Sequence, residues 1–239
     1  MRAVLCKREP ALILGHAEAC ARPPACVYIG GMQKPIGPNP APAPALACEV
    51  CILAGGLSSR MGRNKAALRL GGRTLLARIR ALAKPLSLPV RVIRIDLIPG
   101  CGPLGGIQTA LATSRAAGSL FLSCDMPFVS TDLLRRILRG AGARTPALFV
   151  REAKEFGFPF LLRRSCLPIV ERQLGRNQLS LQALARALRA KTLRSRRGQG
   201  WELFNVNTPA EWRQARQLWR APGKHGLSLP AGACIVAVC

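Results

Sequence analysis

At 239 residues, with 49% hydrophobic content, the chain can fold as one domain of ordinary size with extensions, so a short disulfide-held scaffold is excluded. No apolar run reaches the ~20 residues of a membrane-spanning helix, and no membrane partner is expected. The formal charge of +25 is extreme but comes mostly from arginines spread along the polar faces of helical patterns; an arginine-rich coding background accounts for it better than a nucleic-acid partner, which such a charge can also signal.

Ten cysteines invite a disulfide reading that their positions oppose. Cys51 falls inside an apolar strand and Cys124 at the end of another, where reduced cysteine behaves as a small hydrophobe. Cys48 and Cys51 form one CxxC, but no second pair or histidine stands near to complete a zinc site. Lys7, Arg8 and Glu9 precede an apolar patch too short for a signal peptide. A reducing cytoplasm is the expected location, and a monomer the expected state.

Residues 1–46 read as an extension, with a short strand pattern at Val27–Ile29 and alternating Pro and Ala from Pro35 to Leu46, a linker composition. A single α/β domain is expected over 47–219 and a tail over 220–239. Val50 to Ala54 is a buried-strand pattern running into Gly55–Gly56 and a polar segment that holds Arg60, Gly62 and Lys65. A strand opening into a glycine turn presents backbone N–H groups to a phosphate, and the two cations supply the opposing charge. An ordinary Gly-rich turn with two solvated cations is the simpler alternative. The loop is not of the P-loop type, because Gly62 is followed by Arg63–Asn64–Lys65–Ala66, and it lacks GxGxxG.

Thr74 is placed to cap a helix with apolar Leu75, Leu76, Ile79 and Leu82, ended by Pro85 and Pro89. Val90 to Ile95 then reads as a strand delivering Asp96. Gly102–Pro103–Leu104–Gly105–Gly106–Ile107 is a tight turn entering a helix; its paired glycines suit either a flat ligand or close helix packing. Ser119 to Ser123 reads as a strand with Cys124–Asp125–Met126–Pro127 at its carboxyl end, the edge where open α/β sheets bind ligands. Asp125 is thereby a candidate ligand for Mg²⁺, against the simpler role of a turn residue before Pro127. The chain has only three aspartates, and Asp96 pairs with Asp125 as the second candidate. Asp132 follows the Ser130 cap, where the helix dipole accounts for it.

Leu148 to Val150 and Phe158 to Leu162 read as strands, and Ser180 caps a helix with Leu181, Leu184 and Leu188. Arg194, Arg196 and Arg197 form a basic turn, either solvated or facing an acceptor phosphate. Thr208, Pro209 and Glu211 make a capping box, which leaves Asn205 and Asn207 unexplained.

The stretch LAGGLSSRMGRNKAAL, with Gly71–Gly72 and Leu75–Leu76 behind it, resembles the signature loop of the molybdenum cofactor guanylyltransferase family, the MobA-like NTP transferases. The motifs at 102–107, 124–127 and 205–209 follow in that family's order. The resemblance implies a three-layer, Rossmann-like α/β nucleotidyltransferase domain with a mostly parallel sheet. It further implies transfer of GMP from GTP to the terminal phosphate of molybdopterin with release of pyrophosphate, and Mg²⁺ as cofactor.

Lys65, Arg60 and Asp125 would then be catalytic, with metal held by Asp125 and Asp96. Leu53, Ala54, Gly55, Gly56, Lys65, Asp96, Gly102, Pro103, Leu104, Asn205 and Asn207 would line the ligand sites. Molybdoenzymes or cofactor-carrying proteins are the implied protein partners. One departure stands out: the interval between the first helix and Val90 is short, so one strand of the family pattern is missing. Alternatives are a cytidylyltransferase on the same cofactor, a nucleotide-binding homologue with reduced activity, and a basic polyanion-binding protein.

Overall fold

The computed structural model describes residues 47–55, 65–142, 144–152, 155–196 and 200–220. Gly56, Arg60, Gly62 and Arg197, together with the two terminal segments 1–46 and 221–239, lie outside the described residues. Strand β1 (Cys48–Leu53) is buried on both sides because both faces of the sheet are covered. After the two-residue strands β2 (Arg69–Leu70) and β3 (Arg73–Thr74), helix α1 (Leu75–Ala83) starts where Thr74 Oγ1 accepts the Ala77 N–H at 3.1 Å. The remaining elements are β4 (Val90–Ile93), α2 (Gly102–Ala112), β5 (Gly118–Ser123), α3 (Thr131–Gly140), β6 (Ala147–Glu152), β7 (Glu155–Arg163), α4 (Leu167–Gly175), α5 (Leu181–Ala187), β8 (Lys191–Arg194) and α6 (Pro209–Arg220).

The main sheet has the order β4-β1-β5-β7-β6-β8. Strand β1 pairs in parallel with β4 and β5, and β6 with β8, while β7 runs against β5 and β6. Five of the six strands therefore point their carboxyl ends at one rim. The pleat sorts side chains between layers. Leu120 and Leu122 of β5 face α1 and α3, and Phe121 faces α2, α4 and α5. On that second face Phe160 stacks on Phe149 and Phe121, with ring centroids 4.4 and 5.1 Å apart. A third cluster joins Leu70 and Leu75 to Phe128, Val206 and Ala215, and so seats α6 beside the start of α1.

The α/β architecture and the helix caps at Thr74, Ser130, Ser180 and Thr208 agree with expectation. Only Lys84 to Pro89 separates α1 from β4, and among the described residues no strand pairs with the outer side of β4, consistent with a missing strand. Some strand limits differ. Val90 to Ile95 is a strand only to Ile93, because pairing with β1 ends at Leu53–Ile93. Beyond it the chain turns toward α2, leaving Ile95 84% exposed. The strands at 148–150 and 158–162 lengthen into a hairpin, β6–β7, in which ladder pairing carries the chain through polar ends that local pattern does not mark. Among the described residues no helix is long and apolar enough to cross a membrane.

Candidate active site

Three loops meet at the carboxyl-end rim. The first leaves β1, where the Ala54 N–H donates to Ile93 O at 2.9 Å. Gly55 follows, and a Cβ there would stand 2.6 Å from Arg94 O, so the close approach of two backbones requires glycine. The chain is described again at Lys65, which opens a 3-10 turn, Lys65–Ala67. The second loop leaves β5 and carries Asp125, and the third is the turn into α6.

Lys65 is where they join. Its Nζ donates to Asn207 Oδ1 at 2.7 Å and lies 3.5 Å from Asp125 Oδ2. The ion pair is largely shielded, with side chains 18% and 16% exposed. Each acceptor is itself tied down. Ser123 Oγ donates to Asp125 Oδ1 at 2.5 Å, and the Val206 N–H donates to the Asp125 carbonyl at 2.9 Å. Glu211 Oε2 accepts the N–H groups of Asn207 and Thr208 at 2.7 and 2.8 Å. Burial pushes the Glu211 carboxyl upward, but those N–H donors, the Thr208 hydroxyl and the Lys65 charge outweigh it and hold the pKa below the usual range.

Asp96 sits elsewhere on the rim, against the start of α2. A Cβ on Gly105 would come within 3.0 Å of Asp96 Oδ2, and one on Gly106 within 3.3 Å of Oδ1 and 3.2 Å of Leu53 Cδ2. Close packing around Asp96 and the end of β1 thus accounts for the paired glycines. Burial raises the Asp96 pKa, and the bonds joining Lys65, Asp125 and Asn207 do not include it. Gly102 and Pro103 are exposed, whereas Leu104 is fully buried and serves the core. Asn205 is exposed on the turn. Arg196 pairs with Asp132 at 3.1 Å, giving the basic turn an acidic neighbour within the chain.

No cluster of three or more His, Cys, Asp or Glu side chains able to hold a metal occurs among the described residues. The hard oxygens that converge are Asp125 Oδ2 and Asn207 Oδ1, donors of the type Mg²⁺ takes while keeping several waters or phosphate oxygens. Nucleophilic sulfur is poorly served: burial, then Asp125, pushes the Cys124 thiol up to about 12 against smaller lowering effects from Lys65 and its own backbone. Ser123 escapes sequence reading as a site residue, although its position two residues before Asp125 is a spacing at which side chains can bond locally. Asn207, expected among the ligand-site residues, is brought onto Lys65 by tertiary structure.

Residues 50–195 match the MobA-like NTP transferase domain. The chain belongs to that family. It is similar to a probable molybdenum cofactor guanylyltransferase of Opitutus terrae, 34% identical over 196 residues, covering 71% of this chain and 95% of that protein. A molybdenum cofactor guanylyltransferase of Xanthomonas euvesicatoria is 31% identical over 176 residues, covering 67% and 90%. In fold the chain is similar to molybdopterin-guanine dinucleotide biosynthesis protein A of Archaeoglobus fulgidus, with TM-score 0.56, 21% identity and coverage of 71% and 97%. As a MobA-like protein the chain is an enzyme of nucleotidyltransferase type. The matched span holds Lys65 and Asp125; Asn207 lies beyond it and completes the cluster through the Val206 bond to the Asp125 carbonyl.

Proposed function

We propose that this MobA-like enzyme transfers GMP from GTP to the terminal phosphate of molybdopterin, releasing pyrophosphate and forming the guanine dinucleotide cofactor. The observation that carries the reading is the convergence of Lys65, Asp125 and Asn207 at the sheet rim beside Gly55, in a chain whose relatives are named for that activity.

The reaction forms a bond from an acceptor phosphate oxygen to the α-phosphorus of GTP. The bond to the β-phosphate bridge breaks, and its electron pair leaves with pyrophosphate. The acceptor oxygen is already ionised at neutral pH, so no side-chain nucleophile is needed, and catalysis rests on positioning and charge. The loop that Gly55 opens would supply backbone N–H groups to the triphosphate; Gly56 and Arg60, expected to act there, lie outside the described residues. Lys65 neutralises charge on the phosphoryl oxygens and the departing pyrophosphate. Asp125 and Asn207 would hold Mg²⁺, which when bound supplies electrostatic stabilisation to the phosphates. Ser123 steadies the Asp125 carboxylate, and Glu211 fixes the backbone that carries Asn207.

The test is pyrophosphate release by purified protein with Mg²⁺ and molybdopterin, comparing GTP, CTP, ATP and UTP. Preference for GTP is expected. Preference for CTP would transfer the assignment to a cytidylyltransferase, and silence with every nucleotide from folded protein would overturn the transfer reading.

A further inference from the structure

We propose that Lys65 and a divalent cation are alternative occupants of one cradle, Asp125 Oδ2 and Asn207 Oδ1, so that metal enters together with a triphosphate and not ahead of it. The inference rests on the nucleotidyltransferase reading of this site and adds an order of events to it.

The geometry sets the two occupants in competition for the same oxygens. The ammonium stands 2.7 Å from one oxygen and 3.5 Å from the other. A divalent ion bonded to the same pair, at the ~2.1 Å typical of Mg²⁺, would have to share both acceptors with an ammonium that already holds them. Three positive charges would then share a largely shielded pocket, where screening by water is weak. One cation has to leave.

The same geometry says which part moves. Asp125 is pinned through its side chain by Ser123 and through its carbonyl by the Val206 N–H. Asn207 is pinned through its backbone by Glu211, which also anchors Thr208 at the start of α6. The Asp125 carboxylate cannot swing aside without breaking the Ser123 bond, and the backbone that carries Asn207 stays in place. Lys65, by contrast, reaches the cradle on four flexible methylenes. A triphosphate presents more negative charge than one carboxylate and one amide, so it draws the ammonium onto its own oxygens and uncovers the cradle as the metal arrives.

The test is Mn²⁺ binding to the full chain in the absence of nucleotide, read from the electron paramagnetic resonance signal of free Mn²⁺. Wild type is expected to bind weakly, and Lys65→Met about tenfold more tightly or better, since a unit charge in contact with the ion is removed. Lys65→Arg keeps the charge and should remain as weak as wild type. Adding Asp125→Asn to Lys65→Met should abolish the gain. Lys65→Gln is the substitute where the methionine variant does not fold. Equal Mn²⁺ affinity in wild type and Lys65→Met, or equal gains from Met and Arg, would overturn the proposal. GTP-dependent pyrophosphate release alongside either result would leave the transfer reading standing while this ordering falls.

Discussion

Replacing Gly55 by alanine tests how tightly the phosphate-loop strand is held against its neighbour. The added Cβ would lie 2.6 Å from Arg94 O, 3.1 Å from Arg94 C and 3.6 Å from Arg94 Cα, all backbone atoms. Contacts below 3.0 Å are essentially never seen and ordinary contact begins near 3.4 Å. The two chain segments must therefore separate by roughly 0.4 to 0.8 Å, and no flexible side-chain end can yield instead. The nearby ladder bond from Ala54 N–H to Ile93 O, now 2.9 Å, resists that separation. Overpacking of this kind costs about 1–3 kcal/mol, a shift readable as a lower urea midpoint at unchanged slope. Because the displaced segment also leads into the loop proposed to bind the triphosphate, nucleotide affinity should fall as well. Gly157→Ala is the control: a Cβ there meets nothing within 4 Å, and stability should hardly change. Equal urea midpoints for the two variants, with nucleotide affinity intact in Gly55→Ala, would refute the close-approach argument.

Three further outcomes are expected. Asp125→Asn should lower turnover far more than nucleotide affinity, since charge stabilisation matters most in the transition state; comparing kcat with the nucleotide Kd checks it, and unchanged kcat would remove Asp125 from the mechanism. Deletion of residues 1–46 should leave pyrophosphate release intact, and a folded truncated chain that no longer binds GTP would contradict this. Glu202 is 3% exposed and has an unpartnered Oε2; burial raises its pKa despite lowering by the Ser130 hydrogen bond and by Arg136. Ionising Glu202 thus costs more in the folded protein than in the unfolded chain, so Glu202 favours folding more as pH falls from neutral toward the carboxylate range. Glu202→Gln should accordingly be at least as stable as wild type near pH 7.5, with the advantage fading at about pH 4.5; urea midpoints at the two values decide.

Several features were legible in the chain because their causes are local. A hydroxyl placed three residues before a helical N–H caps a helix wherever it occurs, as Thr74, Ser130, Ser180 and Thr208 do. The apolar strand ending at Gly55, Asp125 following β5, and the capping box at 208–211 depend likewise on neighbours a few positions away. The order of these motifs was also enough to indicate the family.

What the chain could not display were relations set by long-range pairing. Lys65 meets Asn207 across 142 positions and Asp125 across 60, and no periodicity records such a meeting. Strand β8 is four residues with exposed polar positions, and it exists because the edge of β6 offers it backbone partners. The paired glycines at 105 and 106 fit a flat ligand or a packed neighbour equally well until Asp96 is seen lying over them. Asp96 and Asp125 were paired as metal ligands because aspartates are so few; the sharing of Lys65 between Asp125 and an asparagine amide could not be read that way. Local chemistry decided which residues could serve at the rim of this sheet; the folding of three distant loops onto one lysine decided which of them meet.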